Sequence, residues 1–279
     1  MRGMLISGFG ILVAIKAPVG AWAEDNIVVL VYYQVMQESV LKIDSVVIYW
    51  YSVVLVLAFL WGSFVAHKKL SEANFEDLQI LDLAVMTGFW SFIFGRLAFV
   101  LLHIGVFWNN WPRVLFLKNY PGLDHWGLLL GIVLSVYIMN KKTKQRFFDW
   151  FDFAMLGVVA AMPVYFAGLV LSNFSWLSVG GALVSLVVFV FLWRAEMSYR
   201  TYEWYRNKRT QARSGFIGGT ALSFYGLTHL TLQFFSLDKN IVSIMANFLL
   251  FVGGWVMVYS RSGRNLPDDL KFITRHGKK

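Results

Sequence analysis

Arg96 and His103 stand seven residues apart in an otherwise apolar stretch, FIFGRLAFVLLH at residues 92–103. On a helix that spacing puts both on one face. A charge inside a membrane span costs about 2.5–3.5 kcal/mol on insertion scales, so it turns toward a bundle interior or a wet cavity and marks a functional site by default. Two more histidines, His125 and His229, lie in apolar surroundings. Tyr225, His229 and Gln233 recur every four residues and form one helical stripe. Tyr51 and Asn173 add a phenol and an amide. An arginine fork binds phosphate through paired hydrogen bonds. A histidine near neutral pKa takes a proton from a nucleophile. Together these groups suit a lipid headgroup. The histidines lack metal-ligand spacing and have no acidic cluster beside them, which argues against a metal centre. With no cysteine in the chain, disulfides, thiolate metal sites and a cysteine nucleophile are excluded. No nucleotide-binding glycine fingerprint is present.

The elements that position these residues follow from hydropathy. The 279 residues are 58% hydrophobic and 18% aromatic, with a mean hydropathy of +0.59, well outside the range of soluble domains. Segments apolar enough for a bilayer, which takes about 20 residues, fall at 46–65, 80–106, 127–139, 151–171, 176–193, 215–235 and 241–259. The composition thus predicts an all-α polytopic integral membrane helix bundle of about seven transmembrane helices, with residues 25–279 as one domain.

Basic residues gather in alternate connections: His67–Lys69, Lys141–Arg146, the loop at 194–213 and the C-terminal tail. By the positive-inside rule these are cytoplasmic, so the N-terminal side is outside and the C-terminus inside. The net charge of +9 is then a property of inner loops and not of nucleic-acid binding. This topology places Tyr51, Arg96, His103, His125, Asn173 and His229 at a common depth near the outer leaflet. Each alone also reads as an interfacial side chain. Their shared depth on five helices favours a site. Residues 1–24 have a basic start, an apolar middle and the ending Ala21-Trp22-Ala23, which reads as a signal peptide, or alternatively as an extra hydrophobic segment.

From about Ile43 onward the motifs resemble the bacterial prolipoprotein diacylglyceryl transferases. Trp50–Tyr51 is similar to that family's first helix, FGRLAFVLLH at 94–103 to its glycine–glycine–arginine helix, and LDHWGLLLG at 123–131 to its histidine–glycine–glycine motif. The stretch 141–153 with Asp152 resembles the following turn, and 214–235 the sixth helix. The resemblance implies transfer of diacylglyceryl from phosphatidylglycerol to the lipobox cysteine of a preprolipoprotein signal peptide, in the bacterial plasma (inner) membrane, without a cofactor. It implies His125 and His229 as catalytic groups. Arg96, Tyr51, Asn173, His103 and Gln233 become substrate-binding. The sequence departs from the family at Val170 and His229, where the family has arginines, and at Gln233, where it has glutamate. The connection after the fourth span is also shortened to a few residues. Two other readings follow: a catalytically inactive relative that binds lipid or a membrane partner, and a transport component. The latter needs a polar path through the inner half, where Asp82 is the one obvious acid within a span.

Overall fold

The computed structural model describes residues 39–43, 46–108, 111–114, 122–172, 174–205, 214–235 and 241–262. Residues 1–24, expected as a signal peptide or extra segment, lie outside them, as does Asn173. Among the described residues seven long helices form the bundle: α1 (Trp50–Glu72), α2 (Asp77–Leu102), α3 (His125–Thr143), α4 (Phe147–Ser172), α5 (Trp176–Tyr205), α6 (Phe216–Phe235) and α7 (Ile241–Arg261). Single helical turns at Ile104–Phe107 and Trp111–Val114 lie between α2 and α3.

Five helices, α1, α2, α4, α5 and α7, are long and apolar enough to cross a membrane. The remaining two, α3 and α6, carry His125 and His229. Large apolar side chains such as Val56, Leu81, Val187, Leu249 and Trp255 are exposed on the bundle's outside. A band of that extent does not persist on a soluble monomer; in lipid it is the solvated face. The protein is a multi-pass membrane helix bundle.

The core gathers on α4. Trp150, Met155, Leu156, Val159 and Ala160 of this helix are fully buried, and α4 packs against α1, α3, α5 and α6. The other extensive pairings are α2 with α3 and α6 with α7, two helical hairpins. Small residues permit both. A side chain at Gly127 or Gly131 of α3 would strike the α2 backbone at Phe94 and Ser91. On α6, a Cβ at Gly226 would lie 2.7 Å from the Phe251 nitrogen and 2.8 Å from the Asn247 oxygen of α7. Such contacts hold membrane helices together where lipid removes the hydrophobic incentive.

Element boundaries differ from expectation at several helix ends, three of them with a local cause. The first span was expected from residue 46, but Val46–Tyr49 pairs antiparallel with Ser39–Ile43 and the helix starts at Trp50. The β-branched run VVI favours a strand, and Trp50 Nε1 donates to Gly168 O at 2.9 Å, tying the start of α1 to α4. The second span was expected to reach residue 106. It stops at Leu102, where His103 leaves helical geometry (φ −116°, ψ 36°). The fifth was expected to end at 193 with a basic loop following, yet α5 runs to Tyr205. Its continuation RAEMSYR is rich in strong helix formers, so charge did not end it.

Two charged contacts link helix ends. Lys69 Nζ lies 2.8 Å from Glu196 Oε2, both side chains being buried, and 4.1 Å from the centre of the Trp193 ring. Lys142 pairs with Asp82, joining α3 to α2. Asp82, considered as part of a transport path, thus has a basic partner.

Candidate functional site

The site begins with how α3 starts. Asp124 is its N-cap: the carboxylate accepts from Trp126 N at 2.9 Å, satisfying one of the amides left open at a helix start. The residues leading into His125 are each fixed from another part of the bundle. Asp124 N donates to Gly95 O at 2.9 Å. Tyr51 Oη donates to Leu123 O at 3.5 Å. Arg96 Nη1 donates to Gly122 O at 3.2 Å, while its Nε donates to Val114 O at 2.9 Å. Gly122 has φ +155°, a conformation that favours glycine, and any Cβ there would collide with Phe99.

Arg96 is therefore buried (6% exposed) and turned toward the connection between α2 and α3. Its guanidinium lies 5.5 Å from the ring centres of both Phe99 and Phe107. His103 packs at a tilt of 34° on the first of these rings: its ring centre is 4.5 Å from Phe99, and Nδ1 donates to Phe99 O at 2.9 Å. The one-face placement of Arg96 and His103 is visible here, with Phe99 between them.

His125 itself meets α6. Its ring stacks on His229 with centres 4.6 Å apart and planes 8° from parallel. Tyr225 sits 4.4 Å from His229 and 6.4 Å from His125. Phe166 of α4 flanks His229 at 6.4 Å. His125 keeps 29% of its side chain exposed, with Nδ1 3.8 Å from Asp124 Oδ2 and Nε2 buried. Tyr51 packs edge-on against Tyr165 of α4, 6.4 Å between centres. Gln233, one turn beyond His229, accepts from Asn247 Nδ2 at 3.0 Å.

The structure thus brings His125, His229 and Tyr225 together and links Gln233 to them through α6. Arg96 and Tyr51 reach the same site indirectly, through the backbone that presents His125. Three contributors escaped the sequence reading: Asp124, Tyr165 and Asn247. Asp124 carried a signal, since an aspartate directly before an apolar helical run is an N-cap pattern. Tyr165 had none beyond its type. Asp152, noted only for resemblance, proves to accept from Gly215 N at 2.7 Å and Gly218 N at 2.6 Å. A carboxylate of α4 thereby caps the N-terminus of α6, the helix that carries His229. Among the described residues no three His, Cys, Asp or Glu converge in a way that could hold a metal ion.

A polytopic helix bundle with paired histidines near one end is the class that fold and site define. Within that class, residues 38–167 match the family model for prolipoprotein diacylglyceryl transferase. Curated relatives carrying the name phosphatidylglycerol–prolipoprotein diacylglyceryl transferase include one from Thermus thermophilus, 31% identical over 42% of this chain and 42% of the relative. Another, from Proteus mirabilis, is 27% identical over 40% of this chain and 39% of the relative. A third, from Coxiella burnetii, is 24% identical over 52% and 55%. The chain thus matches about half or less of each relative's length. The resemblance read from the motifs holds for α1 to most of α4, which includes Tyr51, Arg96, His103 and His125. Over these residues the chain is similar to that family at low identity.

Proposed function

We propose that this protein transfers the diacylglyceryl group of phosphatidylglycerol to the cysteine of a preprolipoprotein signal peptide. The reaction takes place near the outer face of a bacterial plasma (inner) membrane, with the N-terminal side outside and the C-terminus cytoplasmic. The observation that carries this reading is the stacked pair His125–His229, with the backbone before His125 held by Arg96 and Tyr51. The similarity over residues 38–167 supports it.

His125 acts as general base and removes the thiol proton of the substrate cysteine. The sulfur attacks the lipid glycerol carbon that bears the phosphate ester. The C–O bond breaks, the C–S thioether forms, and glycerol phosphate leaves with the bonding pair. The proton taken by His125 passes to water or the departing phosphate. His229, stacked on His125, is the neighbour that shares that proton traffic. Arg96 places positive charge beside the site and holds the loop that presents His125. Tyr51 supports that loop through Leu123 O and Gln233 holds Asn247, while His103 and Asn173 are the further headgroup contacts that the motifs suggest. Dry surroundings strengthen each such interaction.

A second reading is favoured by specific residues. Val170 and His229 stand where the family has arginines. Charge-assisted contacts to phosphate are about twice as strong as neutral ones, so a relative lacking two of them binds lipid without turning it over. Purified protein in phosphatidylglycerol vesicles with a lipobox peptide separates the readings. Release of glycerol phosphate and a thioether-modified peptide, both lost in His125→Asn, establishes transfer. Intact copurified lipid with no release establishes the inactive relative.

A further inference from the structure

Helix α7 turns its apolar residues outward. Ile241, Val242, Met245, Leu249, Val256 and Trp255 are all more than half exposed. Its buried positions are Asn247, at 1% exposure, and Gly254. A membrane helix that shows lipid its apolar side chains and buries an amide is placing that amide for a purpose, because a polar group in the interior is costly unless it is used. Gly226 on α6 makes the burial feasible, since the missing side chain lets the α7 backbone at Asn247 and Phe251 come close. Asn247 then spends one amide hydrogen on Gln233 Oε1, at 3.0 Å. In this arrangement the amide's oxygen is the end turned away from Gln233. That oxygen, Oδ1, is buried without a hydrogen-bond partner, and so is Nε2 of His125, whose ring is within reach of the Asn247 side chain.

We propose that Asn247 is a positioning residue that holds His125 in one tautomer, with Nε2–H directed at Asn247 Oδ1 and the lone pair on Nδ1. A hydrogen bond between these two atoms satisfies both orphans at once. It leaves Nδ1 as the nitrogen that receives a proton. The Asp124 carboxylate, 3.8 Å from Nδ1, is too distant for a direct bond but close enough to stabilise the imidazolium that results. Gln233 belongs to the device as the group that orients the amide. The logic is that of a histidine base steered by an asparagine behind it, the nucleophile being supplied by the substrate. As a statement about catalysis the inference rests on the reading of His125 as the base. As a statement about the tautomer it stands alone.

The test uses the full chain, labelled with ¹⁵N-histidine, in bilayer discs containing phosphatidylglycerol. Each of the five histidines is assigned by single substitution. Wild-type His125 is expected to show a protonated Nε2 and an unprotonated Nδ1. Asn247→Leu, which keeps the volume but removes the acceptor, moves the signal toward a mixture of tautomers. Asn247→Asp, which keeps an oxygen in place, restores it. In the vesicle assay Asn247→Leu lowers kcat by about tenfold to a hundredfold, the scale of a mispositioned catalytic group, with KM within about twofold. A wild-type His125 protonated on Nδ1 overturns the proposal, as does a tautomer indifferent to Asn247→Leu. If wild type transfers nothing yet the tautomer depends on Asn247, the transfer reading fails and the positioning inference holds.

Discussion

The carbonyl oxygens of Gly122 and Leu123 decide where His125 sits, and Arg96 and Tyr51 reach the site through them. Replacing Arg96 by lysine keeps the charge but loses the fork that serves Val114 and Gly122 together. A buried acceptor left unpaired costs about 1–3 kcal/mol. Arg96→Lys is therefore expected to lower both thermal stability and transfer, read by a melting curve in detergent beside the vesicle assay. His125→Asn should instead cost about a hundredfold or more in rate, the range of a general base, while leaving the melting temperature near wild type. At this scale the sequence was legible in residue type and not in partner. An arginine in an apolar stretch is visible, but its acceptors are main-chain oxygens in a connection, and these have no side-chain signature. Asn247 was hidden for the opposite reason. One amide in a lipid-facing helix looks like noise until Gly226 shows how deep it sits.

At the scale of elements, α3 and α6 hold the two histidines, and each has its start fixed by a carboxylate. Asp124 caps α3 from within the chain leading to it, whereas Asp152 caps α6 from α4. Loss of a helix cap costs about 0.5–2 kcal/mol. Asp152→Ala should thus destabilise the bundle by that order and blunt activity by shifting α6, measured by thermal unfolding with and without bound lipid. Gly127→Leu is expected to do more damage, because its side chain would meet the α2 backbone, where nothing flexible can yield. Failure to purify as a monodisperse species in detergent is the expected readout. The apolar runs made all seven helices legible. Their ends were less so: the VVI run at the first helix went to a strand, and α5 continued through basic residues because local helix propensity outweighed the charge signal. Hydropathy set by crossing requirements also ranks α3 and α6 apart from the other five helices, and these two carry the stacked histidines.

For the whole molecule, the chain's lack of cysteine makes topology directly measurable. A single cysteine introduced at Trp108 should react with an impermeant maleimide on intact cells, and one at Lys279 only after permeabilisation. The reverse pattern would invert the proposed orientation. The buried pair Lys69–Glu196, with Trp193 over the ammonium, fastens α1 to α5. Removing one partner of such a pair costs about 3–5 kcal/mol, whereas replacing both with apolar residues is often neutral. Lys69→Met alone should therefore lower the melting temperature markedly, and adding Glu196→Leu should recover most of it.

The two helical hairpins, α2–α3 and α6–α7, both lean on α4, and the stacked imidazoles bridge between them. Neither hairpin owns the site. Each brings half of it to a shared spine, like two jaws on one hinge. A change of side chain on the α6 jaw, such as one at position 229, can thus be accepted without repacking the jaw that carries His125. A bundle built this way can exchange what one side of its site does while keeping the other side, and the membrane fold beneath both, as they were.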